Sequence, residues 1–333
     1  VYEFPPMTVA KEGNIRSEWT GVHCGSFLSN NHFGGRPVRT MGFFEIMQEQ
    51  YRIIEQRRKF FRSHGYRLDL DNPMTYNEKI MWRKIFDRNP LFPKLSDKLC
   101  ARSYVLEKLG QTEGEAILVP LLFATQDPAE IPFEDLPEEY IVKPNHGSGW
   151  SIIVDRERQV PRERIISQCR KWLKRTYGQK KMEWAYSGIK PCIMVEKLLK
   201  DNRGRLAPDF KFYVFNGTTG MVYVLYDRFG SPTEAFYDRG FKRLRVNTSF
   251  PDGPEIREPE NFGKMIEISE KLASELDFLR VDLYDVDGRI FFGEFTLYPA
   301  SGMYRYAPLG FERKLGEHWP LNREYSRDFR PWF

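Results

Sequence analysis

Arg280-Val281-Asp282 lies in one apolar run, and Ile290 to Phe295, with Glu294 near its end and Thr296 just beyond, forms another. Asp287-Gly288 between them is a hairpin signal, since both residue types tolerate the positive φ that a tight two-residue turn requires. Folding the runs together brings the Asp282 and Glu294 carboxylates side by side and sets Arg280 on the same pleat face as Asp282. Mg2+ takes one or two protein carboxylates and completes its shell with phosphate and water oxygens, so this pair suits a magnesium–nucleotide complex. Taken alone, an exposed hairpin with solvated charges explains the same residues as well or better.

A second feature lies upstream, where Tyr140-Ile141-Val142-Lys143-Pro144-Asn145-His146-Gly147-Ser148-Gly149-Trp150 carries a short apolar strand into a glycine-rich turn. Glycines let backbone N–H groups crowd around phosphate oxygens, Ser148 adds a hydroxyl donor, and Lys143 supplies charge. His146 either donates to phosphate or caps the turn. No Gly-Lys-Ser/Thr closes the loop and no helix follows, which excludes a Walker loop, and the glycine spacing is not a dinucleotide fingerprint. Ile193 to Glu196 reads as a strand ending in an acid, and the alternation of Asp209 to Phe215 puts Asp209 and Lys211 on one face.

In chain order, Lys98, Lys143, the Gly147–Gly149 loop, Glu196, Asp209, Lys211, Arg280, Asp282, Glu294 and Thr296 resemble the ATP-grasp superfamily over residues 98 to 303. Asp97-Lys98 with Arg102 and Tyr104, followed by Lys143-Pro144-Asn145-His146-Gly147-Ser148-Gly149, resembles its TupA-like branch, which belongs to bacterial surface-polysaccharide pathways. The resemblance implies an α+β, ATP-grasp fold of two subdomains clamping ATP, with an N-terminal helical region. It makes Lys98 and Lys143 phosphate-binding lysines, with His146, Gly147, Ser148 and Gly149 over the β- and γ-phosphates. Glu196, Lys197 and Leu199 become the hinge that meets adenine, Asp209 reaches the ribose, and Lys211 reaches phosphate. Asp282 and Glu294 become magnesium ligands, with Thr296 where many superfamily members place asparagine. Arg280 stands where amide-forming members stabilise the tetrahedral transition state. Gly302 resembles their oxyanion-binding turn, in a segment longer than that of the D-alanine ligases.

The chain has 333 residues, 41% apolar and 15% aromatic, which is ample for a core. A net charge of +5 without a basic stripe fits anionic small molecules or an acidic glycan and argues against nucleic acid. Cys24, Cys100, Cys169 and Cys192 lack C-x-x-C spacing, so reduced thiols in a cytoplasmic protein are expected and zinc is not. No apolar run approaches the ~20 residues of a membrane span, and no signal peptide is recognisable.

The expected organisation is a poorly defined segment 1–40, a helical region 41–110, a small subdomain 111–200 and a larger one, 201–333, with the metal site. Phe43 to His64 has a helical period, and Thr75-x-x-Glu78 is a capping box before a second helix. Arg52, Arg57, Arg58, Lys59 and Arg62 around Phe60 and Phe61 read first as a solvated helix face and second as a contact with an acidic membrane surface or polysaccharide-assembly machinery. No obligate protein partner is inferred. Strands are expected near 116–119, 140–142, 193–196, 210–215 and 221–226, with helices at 96–109, from Pro161, and at 259–276. Segments 228–242 and 304–313 are expected as acceptor loops.

ATP bound in this way, with Mg2+, suits ligation of a carboxylate to an amine through an acyl phosphate, and the family resemblance implies attachment of an amino acid to a glycan uronic acid, or extension of an acidic peptide, in bacterial surface-polysaccharide biosynthesis. One alternative is an ATP-grasp phosphotransferase acting on a sugar hydroxyl. Another is a metal-dependent glycosyltransferase using Asp285-Val286-Asp287 or Asp69-Leu70-Asp71, and a nucleotide-binding module without catalysis comes last.

Overall fold

The computed structural model describes residues 43–327, so the segment 1–40 and Cys24 lie outside the described residues. The chain begins with α1 (Phe43–His64), α2 (Tyr76–Ile85), α3 (Phe92–Ser96), α4 (Lys98–Leu109) and α5 (Gln111–Ile117). The capping box forms as the sequence requires, with the Thr75 hydroxyl accepting from the Glu78 N–H and the Glu78 carboxylate accepting from the Thr75 N–H. Asp97 caps α4 and Gly110 ends it. Residues 111–117 are helical where a strand near 116–119 is expected. The helix survives because Gly114 closes directly onto Leu106 of α4, where a Cβ would crowd the Leu106 backbone. Leu118 instead makes an isolated parallel bridge to Phe292.

Next come β1 (Leu121–Thr125), β2 (Tyr140–Pro144), β3 (Ile152–Val154), α6 (Arg162–Leu173) and β4 (Ile193–Lys197). These strands form an antiparallel sheet in the order β1-β4-β2-β3. The stripe Ile165, Cys169 and Trp172 of α6 covers it, together with Val142, Val154, Ile193 and Val195.

The larger sheet comprises β5 (Asp209–Phe215), β6 (Thr218–Tyr226), β7 (Thr233–Tyr237), β8 (Arg243–Leu244), then, after α7 (Phe262–Leu272), β9 (Phe278–Val286) and β10 (Arg289–Thr296). Its order is β10-β9-β5-β6-β7-β8, antiparallel throughout. Segment 228–242, expected as a loop, contains β7, whose Glu234 is fully buried and accepts from the Thr248 N–H and hydroxyl. The β9–β10 turn has positive φ at Asp287 (49°) and Gly288 (78°), the backbone that Asp-Gly favours.

The N-terminal helices are welded to this sheet. Arg83 of α2 is completely buried, pairs with Asp277, donates to the Phe278 carbonyl (2.8 Å) and faces the Trp319 ring. The last helix, α8 (Phe311–Glu317), meets the start of α2 through Gly316, where a Cβ would collide with the Met74 carbonyl and the Thr75 backbone. Gly316→Ala is therefore expected to cost about 1–3 kcal/mol, read as a lower denaturant midpoint at unchanged m-value.

Phe60 lies in the core with Ile53 and Met81, so only Phe61 of that pair stands outside, at 52% exposure. The expectation of four reduced thiols holds for Cys169 and Cys192, which are free and buried, and fails for Cys100, which is disulfide-bonded. No helix among the described residues is long and apolar enough to cross a membrane.

Candidate functional site

The β9–β10 ladder pairs Glu294 with Asp282, after a bulge at Gly293 that shifts the register by one residue. Without that extra residue the two carboxylates would not be cross-strand partners. The β5–β9 ladder pairs Lys211 with Asp282 and Tyr213 with Arg280, so Asp209, Lys211, Arg280 and Asp282 share one face. Arg280 binds Asp282 in fork geometry, 2.7 Å from each carboxylate oxygen, and reaches Glu294 at 3.4 Å. Lys211 lies 2.9 Å from Asp282 and 3.1 Å from Asp209, and Asp209 also meets Arg228 at 3.4 Å.

The smaller sheet supplies the opposite side. Lys98, in the first turn of α4, donates to the Gly147 carbonyl of the glycine loop and lies 3.7 Å from Glu294 of β10. This one side chain joins the two sheets. Lys143 pairs with Glu196 at 2.6 Å, as a diagonal neighbour across β2 and β4, and Arg102 reaches the same carboxylate at 3.5 Å. The loop is held from below by Asn145, only 1% exposed. Its side chain donates to Asp97 and to the Lys190 carbonyl, and it accepts from the Cys192 N–H. Gly147 must lack a side chain because a Cβ would strike the Trp150 ring, and Gly149 has φ +73°. Ser148 is exposed at the loop tip.

Charge is balanced within this cluster. Burial raises the Glu294 carboxyl, but Lys98, Arg280, Arg228 and Lys211 outweigh it and hold the group down at about 2. Burial likewise opposes ionisation of Asp209, which Lys211 and Arg228 reverse, holding it below the usual carboxylate range. For Lys211 burial favours the neutral amine, yet Asp209 and Asp282 keep it charged to a higher pH than usual. Burial dominates at Lys98 and lowers it despite Glu294.

The Asp282 and Glu294 carboxylates are hard oxygen donors, and in this structure Arg280 holds both Asp282 oxygens. Among the described residues no group of three or more His, Cys, Asp or Glu could hold a metal. A magnesium ion on Asp282 and Glu294 would therefore need phosphate and water oxygens to complete its shell. Thr296 lies beside Glu294, its hydroxyl 3.4 Å from that carboxylate.

Two assigned residues sit elsewhere. His146 turns into the interior, its Nε2 3.2 Å from the Trp172 and Arg175 carbonyls, so it ties the loop to the end of α6 and does not face a phosphate. Gly302 packs against Asn77 and Ile80 of α2, and among the described residues no hydrogen bond or ion pair joins it to the Arg280–Asp282–Glu294 group. At the hinge, Glu196 is occupied by Lys143 and Arg102, and the Lys197 N–H is given to the Pro120 carbonyl at 3.0 Å. Among the described residues the Leu199 N–H enters no backbone hydrogen bond, and it lies beside an apolar group of Val119, Val286, Phe291 and Tyr284. Arg228 and Asn145 were not singled out from sequence. Arg228 follows β6 after one residue in a segment read only as loop, and Asn145 looked like part of the turn.

The competing acidic pairs serve turns. Asp69 accepts from the Asp71 and Asn72 N–H groups, and Asp287 occupies the β9–β10 turn.

Distant likenesses exist among solved structures. They include D-alanine–D-alanine ligase from Bacillus anthracis complexed with ATP (15% identity, 61% of this chain and 53% of that one, TM-score 0.36) and L-amino acid ligase from Bacillus licheniformis (15%, 75% and 55%, 0.39). The D-cycloserine synthetase DcsG is similar at 12% identity over 69% of this chain and 70% of that one, with a TM-score of 0.38. The chain thus spans about half the length of the first two. No curated protein matches it significantly. The sequence profile described as TupA-like ATPgrasp matches residues 78–319, from α2 to Trp319 and across both sheets, and the chain belongs to that family.

Proposed function

We propose that this protein is an ATP-dependent carboxylate–amine ligase that works through an acyl phosphate, releasing ADP and phosphate. The observation that carries the reading is the bridge from the Gly147 carbonyl through Lys98 to Glu294, which gathers cations and carboxylates of both sheets around one volume. Lys98, Lys143 and the exposed Ser148–Gly149 tip bind the triphosphate. Leu199 and the apolar group around Phe291 receive the base. Asp209, between Lys211 and Arg228, meets the ribose. Mg2+ held by Asp282 and Glu294 would neutralise charge on the transferring phosphoryl group.

An acceptor carboxylate oxygen attacks the γ-phosphorus and the bond to the β-phosphate oxygen breaks, leaving ADP. An amine then attacks the acyl carbon, inorganic phosphate departs, and the amine proton passes to solvent. Arg280, always charged, stabilises the oxyanion of that second step. From the family we infer a uronic acid of a surface glycan as the carboxylate and an amino acid as the amine; this rests on analogy of family.

Hydroxylamine tests the chemistry. With the acceptor carboxylate present, trapping should yield a hydroxamate in step with ADP, whereas ADP without hydroxamate would point to phosphotransfer and no ADP to another reaction class. Lys143→Ala should weaken ATP binding about tenfold, seen by calorimetric titration, because a charged phosphate contact is lost; wild-type affinity would remove Lys143 from the site.

A further inference from the structure

Cations already placed at the site pair with carboxylates, as Lys98 does with Glu294, Lys143 with Glu196 and Arg280 with Asp282. Segment 174–183, between α6 and β4, is different. Its Arg175 and Lys181 are exposed, and neither forms an ion pair among the described residues. Aromatic rings hold them instead, with the Arg175 guanidinium 4.7 Å from the centre of the Trp150 ring and the Lys181 ammonium 5.7 Å from that of Tyr177. A ring face steadies a cation without occupying its N–H groups, so both keep their donors for an incoming anion.

The segment is anchored on two sides. Toward the glycine loop, the Tyr177 ring meets Trp150 edge-on at 5.4 Å and Tyr186 at 4.7 Å, and Trp150 is the ring that closes on Gly147. Toward the helical layer, Met182 packs against the cluster of Ile53, Phe60 and Met81, and Gln56 of α1 donates to the Lys180 carbonyl at 3.3 Å. Between these anchors the chain turns back on itself, the Gly178 carbonyl accepting from the Lys181 and Glu183 N–H groups, each at 3.0 Å. Glycine is required there, since φ is 78° and a Cβ would collide with the Glu183 carbonyl. The turn leaves Gln179, Lys180 and Lys181 outside. Burial pushes the Tyr177 phenol up to about 12, the charges of Glu183 and Glu294 add to this, and the Ser148 hydroxyl opposes it. The phenol therefore stays protonated at neutral pH, within electrostatic reach of both the loop tip and the acidic pair.

We propose that Arg175, Tyr177 and Lys181 form an acceptor subsite that binds an acidic oligosaccharide through uronate carboxylates next to the one being phosphorylated. The reacting carboxylate has to come to the loop tip, where Tyr177 stands. Two cations with open donors lie just beyond it, and further carboxylates of the same chain match them. The choice of a sugar acid as ligand rests on the ligase reading; the binding of a chain of carboxylates does not.

The test is calorimetric titration of the whole protein with a glucuronate trimer, with the uncharged glucose trimer and triglutamate for comparison. Wild type should bind the glucuronate trimer more tightly than either, and raising salt from about 50 to about 500 mM should weaken that binding because the cations are exposed. Arg175→Gln and Lys181→Gln should each weaken it about 5–10-fold, and together about 25–100-fold, while ATP affinity stays within about twofold and reports an intact fold. Tyr177→Phe, which keeps the ring and removes the donor, should cost about 3–10-fold. Wild-type trimer affinity in the double variant would overturn the subsite, as would no measurable trimer binding by the wild type. Equal losses of ATP and trimer affinity would also overturn it, since the segment would then only support the glycine loop. Tighter binding of triglutamate would overturn the sugar assignment in favour of an acidic peptide. These titrations involve no turnover, so they judge the subsite even where hydroxylamine trapping rejects the ligase reading.

Discussion

Replacing Glu294 by glutamine is expected to lower ADP release by about 100–1000-fold while the protein stays folded and still binds ATP. The carboxylate contacts both the lysine that crosses between the sheets and Arg280, so in the proposed mechanism it would align the two halves and offer charge where the phosphoryl group transfers. Folding survives because Lys98 keeps the Gly147 carbonyl and Arg280 keeps Asp282. A coupled ADP assay beside a thermal melt checks both parts, and turnover near wild type would remove Glu294 from the site.

A pH series adds a second readout. The folded-state value of about 2 lies below the ordinary carboxylate value of 4.5. The stability this ion contributes is therefore complete above the unfolded value and is lost as pH falls from about 4.5 toward about 2. Wild type and Glu294→Gln should differ in stability by a constant amount at neutral pH and converge across that acid window.

Lys211→Met should produce the largest change in stability, about 3–5 kcal/mol. Its ammonium lies between Asp209 and Asp282, both almost wholly buried, so removing it leaves Arg228 and the Tyr284 hydroxyl at Asp209 and Arg280 at Asp282. Because the folded lysine is held above its ordinary value of 10.5, its contribution is fully present below that pH and disappears only as pH rises through the higher folded value. The deficit should thus be flat from pH 6 to 9 within about the error of a urea titration. Adding Asp209→Asn should return part of it by discharging one stranded carboxylate. A deficit below about 1 kcal/mol would show that the cluster is solvated.

The parts of the fold legible in the sequence are those with signals within one turn of helix or one hairpin. Thr75 and Glu78 announced α2, Asp287-Gly288 announced the β9–β10 turn, and the alternation of Asp209 and Lys211 announced their common face. Where the local signal was ambiguous, packing decided: 111–117 became a helix against Leu106, and β7 formed within a stretch broken by Gly230 and Pro232.

The sequence by itself determined which side chains could do the chemistry, because residue type and two- or three-residue spacing suffice to put charges on one face of a strand. Only the tertiary structure decided which of them meet. Lys98 reaches Glu294 across nearly two hundred residues, while His146, next to the loop glycines, turns inward to the carbonyls ending α6. It also decided that Tyr177, from the segment after α6, meets Trp150 beside the glycine loop. Pairings of this kind depend on how two sheets and a helical layer close on one another, and no local pattern carries that information because the free energy that selects them is spread over the whole packed interface.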